Sequence, residues 1–160
     1  MLVRLFGGTW VRAQLHHPRM QDYTRLVVWH RARALTVAVN EATCCPRAVI
    51  GPGLRPQLMR AVMSISANVA EGAGRSSRTD FARFVDIAAA STSEVEHHLI
   101  VAEDLGVIAP SVLARLRADV VMVRRMLFGL RRALLAREAE EQAASRSSVR
   151  EELVDPELFH

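Results

Sequence analysis

Ser64-Ile-Ser-Ala-Asn-Val-Ala-Glu-Gly-Ala-Gly-Arg75 is the stretch on which the fold turns. Leu58, Ala61, Ile65 and Asn68 recur at steps of three and four, the spacing of one helix face. That pattern puts an amide, Asn68, where a packed bundle would otherwise carry a leucine. A buried amide must find partners or cost about 1–3 kcal/mol, and such residues fix the register of neighbouring helices or subunits. The stretch therefore predicts a bond from Asn68 across to the next helix, near Ser91 or Glu94. It also predicts an ion pair between Glu71 and Arg60. Gly72 or Gly74 is expected to supply a left-handed cap at the helix end.

Working outward, this helix begins near Leu54 to Pro56, where proline suits a first turn. A preceding helix is expected from Asp22 or Tyr23 to Cys44, with Leu26, Trp29, Ala32, Thr36 and Val39 inward and Pro46 stopping it. The third starts after Ser76-Ser77, with a seam of Phe81, Phe84, Ala88, Ser91, Val95, His98, Ala102 and Leu105, and ends at Gly106. The fourth starts at Pro110-Ser111 and carries Leu113, Leu116, Val120, Val123, Leu127, Leu130 and Leu134 in unbroken alternation. Its second stripe, Val121, Phe128 and Leu135, is flanked by Arg117, Arg124 and Arg131 on one side and Arg125 and Arg132 on the other. The fold class is all-α: an antiparallel up-down-up-down four-helix bundle over residues 22–137. Residues 1–21 are expected to be a poorly ordered extension, with Met20 a natural beginning. Residues 138–160 read as an acidic, disordered tail.

Charge is segregated along the chain. Among its 160 residues the net charge is +4, and all 21 Lys/Arg side chains are arginine. The basic helix of residues 111–137 is followed by the acidic residues 138–160. A helix with two apolar stripes has one to spare for a partner, so Val121, Phe128 and Leu135 form a candidate oligomer interface. The bordering arginines, with few acids near them in sequence, form a candidate RNA or DNA surface. Arginine gives salt-dependent phosphate affinity without sequence specificity, and no aromatic platform for stacking bases is visible. The acidic tail is expected either to fold back onto this helix or to keep the chain soluble.

Chemistry is scarce. The cysteines, Cys44-Cys45, are adjacent, which suits neither a disulfide framework nor a metal site and reads as reduced, cytoplasmic thiols. No run approaches a membrane span. Glu94-Val-Glu-His97 has the Glu-x-x-His spacing of di-iron bundles, but no second such pair exists on another helix, so no metal or other cofactor is expected. Arg25-Leu-Val-Val-Trp-His30 has the Arg-x4-His spacing of certain helical-bundle ribonucleases, and Arg25 with His30 is the competing enzymatic reading. The same spacing recurs at Arg12 and His17, so it is cheap. No paired acid and base, phosphate loop or oriented nucleophile is present, and the expectation is a non-enzyme.

Arg25-Leu-Val-Val-Trp-His-Arg-Ala32, Gln57-Leu-Met-Arg-Ala61, the Ser64–Arg75 stretch, Phe81-Ala-Arg-Phe84 and Ile87-Ala-Ala-Ala-Ser-Thr-Ser-Glu94 occur in an order that resembles the bacterial 23S rRNA-intervening-sequence protein family. The resemblance spans Met20 to Leu135. It makes Trp29, Gln57, Arg60, Ser64, Asn68, Glu71, Gly72, Gly74, Arg75, Ser91 and Glu94 family-motif residues. Cys45 departs from a usual phenylalanine, the loop after Pro46 lacks a usual acid, and Ala90 replaces a usual glycine. The resemblance implies an antiparallel four-helix bundle in a ring-like homopentamer without known enzymatic activity. A branch similar in fold, the accessory proteins of diversity-generating retroelements, binds a reverse transcriptase and nucleic acid. The expected role is an oligomeric scaffold or nucleic-acid-associated accessory factor.

Overall fold

A computed structural model describes residues 2–4, 10–12, 22–44 and 53–152, with side chains described over 22–44 and 53–147. The Pro46 loop and residues 153–160 lie outside the described residues. Four helices form the body: α1 (Val27–Thr43), α2 (Leu54–Ala73), α3 (Arg78–Asp104) and α4 (Pro110–Glu152). Each packs on its neighbour in sequence, and α1 closes the set against α4.

Cross-helix bonds give the directions. Thr36 donates to the Val62 carbonyl while Asn40, further along α1, meets Arg55, earlier on α2. Ser64 meets Ser91, whereas Gly72, later on α2, abuts Phe81, earlier on α3. Up α3 through Arg78, Asp86, Glu96 and Glu103, the partners on α4 descend through Glu141, Arg131, Arg124 and Arg117. Successive helices are antiparallel.

The core follows the 3.6-residue period but not every phase read from sequence. On α4 the expected seam is buried throughout except at Leu130, which is half-buried. On α3 the inward residues are Phe81, Val85, Ala88, Thr92, Val95, Leu99 and Ala102; Phe84 and His98 are half-buried and Leu105 is exposed. On α1 they are Val28, Ala32, Leu35 and Val39, with Trp29 and Thr36 half-buried at the edge. Where two apolar residues are adjacent, either can lead inward, and packing decides.

The glycines do other work than expected. Gly72 lies inside α2, and Gly74 caps it with φ −84°, so neither is left-handed. Gly72 is required by contact: a Cβ there would lie 2.5 Å from Phe81 Cδ2 and 2.8 Å from Phe84 Cβ. Gly106, φ +64°, is the left-handed residue that lets α3 turn into α4.

Outside the expected bundle, Leu2–Arg4 and Trp10–Arg12 pair antiparallel in register Val3↔Val11. A 3-10 turn, Tyr23–Arg25, capped by the Asp22 carboxylate, precedes α1 and moves its start to Val27. The segment beyond residue 137 is helical to Glu152, because Arg, Glu, Ala and Gln favour helix and nothing breaks it. At about 1.5 Å per residue, α4 is roughly 65 Å long. Its acidic part continues straight along α4, with Glu141 paired to Arg78, rather than folding back onto the basic part. No helix among the described residues is long and apolar enough to cross a membrane.

Candidate functional site

The outer face of α4 is set by its seam. With Leu113, Leu116, Val120, Val123, Leu127 and Leu134 inward, residues one helical column further round must face out. Val121 is 36% and Phe128 52% exposed. Leu135 is half-buried against the core, so the stripe is open at Val121 and Phe128 and partly closed at its third member. Arg117, Ala118, Val121, Met122, Arg125 and Met126 line a shallow groove of about 500 Å³ on this face. Its floor is apolar and its rim carries guanidinium groups.

The five candidate arginines divide into two sets. Arg117 Nη2 donates to Glu103 Oε2 at 2.5 Å, Arg124 Nη2 to Glu96 Oε2 at 2.6 Å, and Arg131 Nε lies 2.7 Å from Asp86 Oδ1. Arg124 Nε also donates to the buried Thr92 hydroxyl at 2.8 Å. These three tie α4 to α3, and their charge is met at short range by carboxylates. The scarcity of acids that favoured a phosphate-binding surface holds only along α4; the antiparallel partner supplies them. Arg125 and Arg132 are exposed and make no ion pair among the described residues.

The α2–α3 face holds most of the family-motif residues. Asn68 is half-buried, not buried, because Val69 takes the inward position beside it. Its Nδ2 donates to the Ser64 carbonyl at 2.8 Å and to Ser64 Oγ at 3.0 Å, and Ser91 Oγ donates to Ser64 Oγ at 3.0 Å. The amide thus reaches α3 through the Ser64 hydroxyl. Glu71 pairs with Arg75, not Arg60, since a residue four further on is closer than one eleven back. The Arg75 guanidinium lies 4.5 Å over the Phe84 ring. Gln57, Arg60 and Glu94 are exposed.

The enzymatic alternative finds a different arrangement. His30 Nε2 bonds the Thr24 carbonyl at 2.7 Å, so that nitrogen carries the proton and locks the turn before α1. Trp29 packs edge-on to Tyr23 at 5.0 Å with Arg33 4.8 Å above it, a structural cluster at the α1 start. Arg25 is exposed, and no hydrogen bond joins it to the His30 ring among the described residues. His97 and His98 are adjacent at 5.3 Å, and burial, then His97, hold His98 below its ordinary value while Glu94 opposes them. No three His, Cys, Asp or Glu side chains among the described residues gather as a metal site.

Sequence reasoning missed Glu96, Glu103, Asp86 and Thr92 as the partners of the arginine column. The signal was present: carboxylates on α3 ascend as arginines on α4 descend. It also missed Gly129, beside Phe128, where an added Cβ would meet nothing within 4 Å.

A family model described as "23S rRNA-intervening sequence protein" matches residues 24–129, well over half the chain, as the motifs implied. A solved structure from Bacteroides thetaiotaomicron, described as a protein with unknown function from the S23 ribosomal protein family, is similar in fold. It is 20% identical with a TM-score of 0.59, over 65% of this chain and 97% of that one. No curated protein matches the chain.

Proposed function

The chain belongs to the 23S rRNA-intervening sequence protein family, and we propose that it is a non-enzymatic scaffold whose copies associate through the outer face of α4. The observation that carries this reading is the exposure of Phe128 and Val121 on a helix whose core seam is already complete. Large apolar side chains clustered with a groove and rimmed by arginine have the composition of a protein interface. Nothing in the bundle needs them there.

Contact with RNA or DNA is the subordinate part of the reading, and it rests on fewer residues than the sequence suggested. Arg117, Arg124 and Arg131 are already matched by carboxylates, which leaves Arg125 and Arg132 for phosphate. Native mass measurement across a concentration series tests the scaffold reading. An assembly at a multiple of the 17.8 kDa chain mass supports it; a monomer at every concentration overturns it.

A further inference from the structure

A cavity of about 560 Å³ lies away from the outer face of α4, at the end of the bundle where α1 stops and α4 starts. Ala38 and Ala42 on α1 form one wall; Val107, Val112 and Leu113 form the other. Both alanines are half-buried against the core, so the gap follows from their size. A larger apolar residue at either position would gain packing that the bundle forgoes. Two charged side chains join the lining, Glu41 on α1 and Arg115 on α4. Both are exposed, and among the described residues neither makes an ion pair, with the other or with any third group. Glu103, also in the lining, is already matched by Arg117. The backbone repeats the sign each free charge would attract. α1 ends at Thr43, beside the Ala42 wall, and a helix C-terminus favours a cation. α4 begins at Pro110, itself part of the lining, and a helix N-terminus favours an anion. Antiparallel packing brings these two helix ends to the same end of the bundle.

We propose that this cavity binds a small zwitterion with an apolar body, an apolar amino acid or dipeptide, with its ammonium toward Glu41 and its carboxylate toward Arg115. The volume is that of a small-molecule site, which spans about 300–1,000 Å³. Apolar walls receive the side chain and reject a polar one, which would lose its water without finding partners there. The Arg115 guanidinium offers a carboxylate two parallel bonds, and the Glu41 carboxylate accepts from an ammonium. An apolar amine leaves Arg115 unmatched, and an apolar acid leaves Glu41 unmatched. Only a ligand carrying both charges on one apolar frame answers the whole lining. The site is separate from the scaffold face, and neither reading depends on the other.

The test is isothermal titration of the full chain with four probes: phenylalanine, leucylphenylalanine, phenethylamine and phenylpropionate. One of the two zwitterions binds about tenfold or more tighter than either singly charged probe, and which one it is decides between amino acid and dipeptide. Glu41→Gln removes that advantage over phenylpropionate, and Arg115→Gln removes it over phenethylamine. Ala38→Leu, checked for helicity by circular dichroism, fills the cavity and abolishes binding. A singly charged probe that binds as tightly as both zwitterions overturns the proposal. So do charge variants that bind the zwitterion as the parent does. A parent that binds none of the probes, with Ala38→Leu only gaining thermal stability, makes the cavity a packing gap and overturns it as well.

Discussion

Gly72 on α2 lies directly beneath Phe81 on α3, so close that a Cβ at position 72 would come within 2.5 Å of Phe81 Cδ2. The ring is fully buried, with Phe84 on the other side of the gap. Neither can retreat without opening the core. Gly72→Ala is therefore expected to destabilise the chain by about 1–3 kcal/mol through overpacking. Gly129→Ala has the opposite expectation: its Cβ meets nothing, and the gain in helix propensity is about 1 kcal/mol. Urea denaturation of the two variants, held at concentrations where the parent is dissociated, compares them. Equal effects would contradict this account of the two glycines.

Arg124 is the centre of the α3–α4 ladder. It bonds a buried hydroxyl at Thr92 and a carboxylate at Glu96 while a quarter of its side chain remains exposed. Arg124→Ala should cost about 1–2 kcal/mol, discounted for that exposure. Arg125→Ala, on a solvent-facing side chain, should stay within about 0.5 kcal/mol for the dissociated chain. Guanidinium chloride would screen the ion pairs, so urea is the appropriate denaturant. Equal losses at both positions would remove the distinction between the two arginine sets.

The same division predicts the salt dependence of nucleic-acid contact. If five arginines met phosphate, the slope of log affinity against log salt for a single strand would approach about −3.5 per chain; two arginines give about −1.4. Electrophoretic mobility or anisotropy with a short unstructured RNA, titrated in salt, measures it. The steep value would show that the α3 carboxylates release their partners on binding.

His98 gives the pH expectation. Its pKa is lowered below 6.5 by burial, then by His97, against the opposing pull of Glu94. The unfolded chain therefore binds a proton more readily than the folded one between those two values. Stability is full above about pH 6.5 and falls as the pH drops toward the lowered value. Thermal melts from pH 7.5 to 5 should show this decline, and His98→Gln should flatten it. An unchanged profile in the variant would assign the decline to other groups.

His30 is bonded through Nε2 to the Thr24 carbonyl, an anchoring role. His30→Ala should lower stability by about 0.5–1.5 kcal/mol and leave RNA intact in both parent and variant. Cleavage by the parent that the variant lacks would revive the ribonuclease reading.

How far the sequence could be read depended on whether a decision was local. The α4 seam was legible because each inward residue from Leu113 to Leu127 stands three or four from the next in an unbroken run, longer than that of its apolar neighbours Val121 and Phe128. Asn68 was misplaced by one residue because Val69 is also apolar and wins the inward position. The α3 seam slipped in the same way, with Val85 and Leu99 inward in place of Phe84 and His98. Close approach of Gly72 and Phe81 fixes that rotation, and no window within one helix contains it. The arginine ladder was hidden for another reason. Glu96 and Arg124 lie far apart in sequence, and only the antiparallel register makes them neighbours. Continuation of α4 past residue 137 was written in its helix-favouring residues but outweighed by its charge.

The central claim is that α4's outer face is buried between copies. Sedimentation equilibrium of the full chain carrying Phe128→Glu, beside the parent, tests it most directly. The account predicts an associating parent and a folded, helical monomer for the variant. Parent and variant of the same mass, at every concentration, would contradict it.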